Sequence, residues 1–239
     1  MQDTRSTRWS AILFALLFPS LVTLIYFVVL ADQAAWLQQG AYLAGKTIQF
    51  AFPAIWVFWI LREKPTWRPV VRRGLLLGSG FGLLVMVLML SLYHGVFKPA
   101  GLLDQANEAI REKVLGLELD TIWKYAAVGF FYALCHSLME EYYWRWFVFG
   151  RLRLVRGLAS AICISSLGFM AHHVILLATF FGWGSPWTYL FSFSVAVGGA
   201  VWAWLYERDG SLYGPWISHL FVDAAIFLVG YDICRDLIT

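Results

Sequence analysis

A chain of 239 residues that is 60% hydrophobic and only 14% charged departs from soluble usage, in which roughly a quarter of residues are charged. No aqueous fold of this size could hide that much apolar surface, and the mean hydropathy of +0.67 points to an integral membrane protein. The net charge of +3 is too small to suggest a nucleic-acid partner, and 18% aromatic residues with 13 Trp suit a chain anchored at both membrane interfaces.

In chain order, hydropathy and helix breakers predict about seven spans: 11–31, 41–61, 75–97, 122–149, 158–181, 187–206 and 211–230. The first is of membrane-spanning length and lacks a clear small-residue cleavage site, so it reads as a transmembrane helix and not as a signal peptide. Arg62, Lys64, Arg68, Arg72 and Arg73 follow span 2, and Arg151, Arg153 and Arg156 follow span 4, whereas 32–40 has neither Lys nor Arg. The positive-inside rule then places the amino terminus, with Arg5 and Arg8, in the cytoplasm. Between spans 3 and 4, Leu103, Ala106, Ala109, Ile110, Val114 and Leu117 alternate with Asp104, Glu108, Arg111, Glu112 and Lys113. That spacing predicts an amphipathic surface helix near 103–117. Cys135, Cys163 and Cys234 show no paired spacing and read as small core residues. With no repeat and no soluble module, the expected fold is an all-α polytopic transmembrane helix bundle, a single membrane domain over 1–239.

Ionisable residues inside a membrane cost about 2.5–3.5 kcal/mol each on insertion scales and are therefore candidates for function. Three clusters stand out: His136 to Arg145 on span 4, Phe169 to His173 on span 5, and His219 to Asp223 on span 7. On an α-helix His136 and Glu140 share a face, as do Glu141 and Arg145, while Glu140 and Glu141 diverge by about 100°. Glu141 is thus expected to be held by Arg145, leaving Glu140 to point elsewhere. His219 and Asp223, four apart, are expected to meet. Counted from the inferred cytoplasmic ends, Glu140, His219 and His173 lie about 9, 8 and 15 residues deep, or roughly 12–23 Å, so one level of the bundle can hold all three. A carboxylate beside an imidazole in a wet, low-dielectric cavity is what activation of water requires, and a second imidazole can donate to an oxyanion. The same side chains are acceptable zinc ligands, so zinc stays an alternative to a cofactor-free site. His136 and the run Tyr142, Tyr143, Trp144, Trp146 and Phe147 read as packing, the latter at the membrane interface.

Three ordered motifs, Glu140-Glu141-Tyr142-Tyr143-Trp144-Arg145, Phe169-Met170-Ala171-His172-His173 and His219-Leu220-Phe221-Val222-Asp223, resemble the EExxxR, FxxxH and HxxxN/D pattern of the CPBP intramembrane proteases, the family that includes the type II CAAX prenyl endopeptidases. The lead-in Gly210 to Ser218 is similar as well, and the likeness covers about 122–230, the expected catalytic core. The resemblance implies a glutamate-type intramembrane endopeptidase that cuts near a membrane-anchored or C-terminal segment of a lipid-anchored or membrane-associated protein. It implies that Glu140 activates water with His173, that Glu141 and Arg145 support the site, and that His219 with Asp223 stabilises the oxyanion or positions water. Asp223 stands where the prenyl endopeptidases usually have Asn, and the doubled histidine makes His172 a competitor of His173. The compact layout suggests a bacterial inner membrane. A non-enzymatic scaffold, an immunity protein or a proton-coupled transporter is the other class of reading, although the broken helices and inverted repeat of a transporter are absent from the sequence pattern.

Overall fold

The computed structural model describes residues 5–64 and 68–239, with side chains from Thr7 onward, so the side chain of Arg5 lies outside the described set. The described chain is helical, without strands. Helix α1 runs over Arg5–Leu24 and continues as a π-helical turn, Ile25–Val29; α2 over Ala35–Ala54 continues through Ile55–Ile60, and α3 over Arg72–Leu92 through Tyr93–Phe97. The surface helix α4 is Asp104–Gly116, within a residue or two of its predicted bounds. Helix α5 fills 122–153, alternating between α-helix (Ile122–Phe130, Ser137–Glu141, Gly150–Arg153) and π-helix (Phe131–His136, Tyr142–Phe149). Helices α6 (Leu158–Phe181), α7 (Pro186–Asp209) and α8 (Tyr213–Cys234) complete the chain.

Six of these, α1 to α3 and α6 to α8, are long and apolar enough to cross a membrane, and the chain is an integral membrane protein. The remaining expected span, α5, is helical throughout but does not reach that hydropathy, because Lys124, His136, Ser137, Glu140, Glu141 and Arg145 interrupt its apolar run. Leu17, Trp59, Leu84, Leu88 and Phe130 are exposed, which suits hydrocarbon and not water. Cys135 and Cys163 are exposed too and only Cys234 is buried. The expectation of three core cysteines thus holds for one, because in lipid an outward position is as apolar as an inward one.

Contacts divide the chain into two compact units, residues 1–69 with 142–207, and residues 70–141 with 208–239. In the first, Tyr143 donates from its hydroxyl to the Ala15 carbonyl at 2.8 Å, and Gly168 makes room for Leu16 and Trp144. Tyr143, Trp144 and Phe147 are wholly buried; the aromatic run expected at the interface is instead core for these three residues.

In the second unit α8 lies against α3 along a stripe of glycines one helical turn apart, Gly74, Gly78 and Gly82. A Cβ on Gly78 would strike the Gly214 carbonyl oxygen, and one on Gly82 would come within 2.8 Å of the Ser218 backbone. The backbones therefore touch, as small residues spaced by four allow between membrane helices. Gly210, at φ +64°, makes the turn into α8 that only glycine adopts readily. At the other end of α8, Val114, Leu119, Tyr125, Cys234 and Ile238 form an apolar cluster that seats α4. Arg111 holds both Asp236 carboxylate oxygens at 2.6 and 2.7 Å and donates to the Ile233 carbonyl. Its guanidinium lowers the Asp236 carboxyl to about 2.

Gly78→Ala should lower the melting temperature of the purified protein by several degrees, since the added methyl meets backbone that cannot move alone. Gly80→Ala, where nothing lies within 4 Å, should leave it unchanged or slightly raised; thermal unfolding in detergent reads the difference.

Candidate active site

The polar centre of the second unit is His219, 4% exposed, on the inner face of α8. Ser218, next to it, contacts the glycine stripe, and Trp216, three residues before it, donates from its indole N–H to the Leu134 carbonyl of α5 at 2.9 Å. Backbone contact on one side and an indole anchor on the other fix the turn that carries the imidazole.

Three carboxylates surround that ring. His219 Nδ1 is 2.8 Å from Glu141 Oε1, a hydrogen bond, while Nε2 is 3.7 Å from Glu140 Oε2 and 3.6 Å from Asp223 Oδ1. Glu140 is 4% exposed and Glu141 is wholly buried. Glu140 and Glu141 diverge around the helix, as adjacent residues must, yet both reach His219 because they address different edges of one ring. The i,i+4 approach of Asp223 to His219 is as predicted. The bond from His219 to Glu141 is additional to anything the spacing predicts, since spacing along one helix carries no information about a partner on another.

The geometry sets the chemistry available. When Glu141 is ionised it only accepts, so Nδ1 carries the proton and Nε2 faces Glu140 and Asp223. Separations of 3.6–3.7 Å exceed a good direct hydrogen bond, but one water can contact Nε2 and a carboxylate oxygen at once.

In the first unit His173 Nδ1 lies 2.9 Å from the Phe169 carbonyl. A carbonyl only accepts, so Nδ1 carries the proton and in the neutral ring Nε2 keeps the lone pair. The FxxxH spacing thus orients a histidine through the phenylalanine backbone. His172 is buried and stacks on Trp144, with centroids 5.7 Å apart and planes 5° from parallel. Arg145, 2% exposed, sits with its guanidinium carbon 4.7 Å from the Phe169 ring centroid and 5.0 Å from that of Trp202. It lies in the π-helical stretch Tyr142–Phe149, where backbone bonds run from i to i+5. His136 lies against Tyr132, with ring centroids 5.0 Å apart.

The sequence motifs include Trp216 only as part of the lead-in to the last one, and they omit the glycine stripe and Trp202. The stripe is legible as small residues at 74, 78 and 82; Trp202 is indistinguishable by sequence from the twelve other tryptophans. Nor do the motifs include Lys46 and Gln49 in the middle of α2, the latter wholly buried with neither amide atom hydrogen-bonded among the described residues. Among the described residues no three His, Cys, Asp or Glu side chains stand where they could jointly hold a metal ion.

Residues 122–225 match a family model described as Type II CAAX prenyl endopeptidase Rce1-like. No curated protein and no solved structure matches the chain. The matched segment contains all three motifs and bears out the resemblance drawn from them. At the level of the family it supports a CAAX-type membrane protease acting on a protein substrate.

Proposed function

We propose that the chain is a glutamate-type intramembrane endopeptidase that hydrolyses a peptide bond near a membrane-anchored or C-terminal segment of its protein substrate. The observation that carries this reading is the buried His219, hydrogen-bonded through Nδ1 to Glu141 and presenting Nε2 to Glu140 and Asp223. In the proposed reaction Glu140 takes a proton from water as the water oxygen attacks the scissile carbonyl. His219, held in one orientation by Glu141, contacts the same water and, when protonated, donates from Nε2 to the oxyanion. As the carbon–nitrogen bond breaks, Glu140 returns its proton to the leaving amine, so the site ends as it began.

Asp223, 3.6 Å from Nε2, limits the freedom of that nitrogen, a task that an Asn could share. The motif order adds His173 as a second base and Arg145 as support. That part rests on sequence, together with the commitment of the His173 Nδ1–H to the Phe169 carbonyl. The residues named suffice for hydrolysis without a cofactor, and we propose a metal-independent site. The basic loops support a cytoplasmic amino terminus, and a bacterial inner membrane is the proposed setting.

The test compares membrane proteomes of cells lacking the protein with cells complemented by wild type, Glu140→Gln or Asp223→Asn, and looks for protein C-termini that change. Glu140→Gln should leave the same uncut termini as the deletion, with cleavage lowered on the order of 10²–10⁴-fold, while Asp223→Asn should retain cleavage within about tenfold. Restoration by Glu140→Gln equal to wild type would instead favour a scaffold. Cleavage by the purified protein should also survive exhaustive chelation; stoichiometric zinc, with activity lost to the chelator and recovered on adding zinc, would contradict the metal-independent site.

A further inference from the structure

No motif lies on α7, and its apolar run carries no Asp, Glu, Lys, Arg or His before Glu207. Its buried positions are small at 192, 196, 199 and 203, where Ser, Ala, Gly and Ala follow one another at helical spacing. Such a stripe lets neighbouring helices approach closely. Trp202 breaks the pattern as a very large residue, 3% exposed, among small ones.

What Trp202 touches explains its place. Its ring and that of Phe169, with centroids 6.2 Å apart and planes inclined at 64°, both lie against the Arg145 guanidinium, at 5.0 and 4.7 Å. Cation–π contact is strongest where the cation is stripped of water, and Arg145 is 2% exposed. Gly199, one turn before Trp202, provides the room: a Cβ there would stand 3.3 Å from Phe169 Cδ1 and 3.5 Å from an Arg145 terminal nitrogen. Phe169 therefore has two tasks. Its ring receives the guanidinium, and its carbonyl receives the His173 Nδ1–H at 2.9 Å. A displacement of the Phe169 backbone moves both.

We propose that Trp202 is a positioning residue: with Phe169 it clamps Arg145, and through Phe169 it sets the tautomer and orientation of His173. The proposal deepens the peptidase reading and rests on it for the use to which His173 is put. The clamp itself is a statement about one cation, two rings and one imidazole. Trp202 touches no reacting atom in this account, and its effect is entirely through Phe169 and Arg145.

The experiment uses the full chain in lipid nanodiscs, with nitrogen-15-labelled histidine and the His173 signals assigned by their loss in His173→Gln. Trp202→Leu removes the aromatic face, Trp202→Phe keeps one, and Gly199→Ala crowds the clamp from the same helix. Wild type and Trp202→Phe should show His173 protonated at Nδ1. Trp202→Leu and Gly199→Ala should show a mixture of tautomers, a readout that loss of stability alone does not move. With a cleaved substrate in hand, kcat of Trp202→Leu should fall about 10- to 100-fold with KM within about twofold, and Trp202→Phe should recover most of it. An unchanged His173 tautomer in folded Trp202→Leu, or Trp202→Phe as damaging as Trp202→Leu, overturns the clamp. Should Trp202→Leu fail to fold, Gly199→Ala decides by the same signal. If no variant, nor the wild type, cleaves anything while the tautomer responds as expected, the peptidase reading fails and the clamp stands.

Discussion

The buried hydrogen bond between His219 and Glu141 is the constraint on which the rest of the second unit depends. Each ionisable group placed among membrane helices costs about 2.5–3.5 kcal/mol, and here Glu140, Glu141, His219 and Asp223 gather around one ring. Together they exchange much of the lost hydration for mutual contact; separated, each would remain a liability. Removing one partner of such a buried group costs about 3–5 kcal/mol, because the other is left behind without its counterpart. The bond also does something stability alone does not require: it assigns the proton to Nδ1, and so decides which nitrogen faces Glu140.

Around this bond the scaffold is built for closeness. Gly74, Gly78 and Gly82 let α8 lie backbone to backbone on α3, Gly210 turns the chain into α8, and Trp216 ties it to the α5 carbonyl of Leu134. The lead-in to the last motif is therefore a set of geometric requirements: a left-handed turn at 210, no side chain at 214, and an indole donor at 216. In the first unit the same economy appears around Phe169, whose ring and carbonyl each hold a cationic or titratable partner.

The sequence was informative where a single helix carries the information. Span 158–181 coincides with α6, the amphipathic spacing near 103–117 is α4, and the i,i+4 pair of His219 and Asp223 meets as expected. It was blind where the information lies between helices. That Glu141 finds His219, 78 residues away in the chain, leaves no trace in local spacing. Wheel reasoning also presupposes 3.6 residues per turn, and the π-helical winding of Phe131–His136 and Tyr142–Phe149 brackets the glutamates with a different periodicity. Aromatic residues misled for a related reason: Tyr143 and Trp144 have the composition of an interfacial belt but serve as core. Lipid, unlike water, does not sort apolar side chains into inside and outside.

The most direct measurement is the ring nitrogen and proton spectrum of His219 in lipid nanodiscs, compared between wild type and Glu141→Leu. The account predicts a proton on Nδ1, strongly deshielded by the carboxylate, which loses that deshielding when Glu141 is replaced. A His219 protonated only at Nε2, with a spectrum indifferent to the residue at 141, would contradict it.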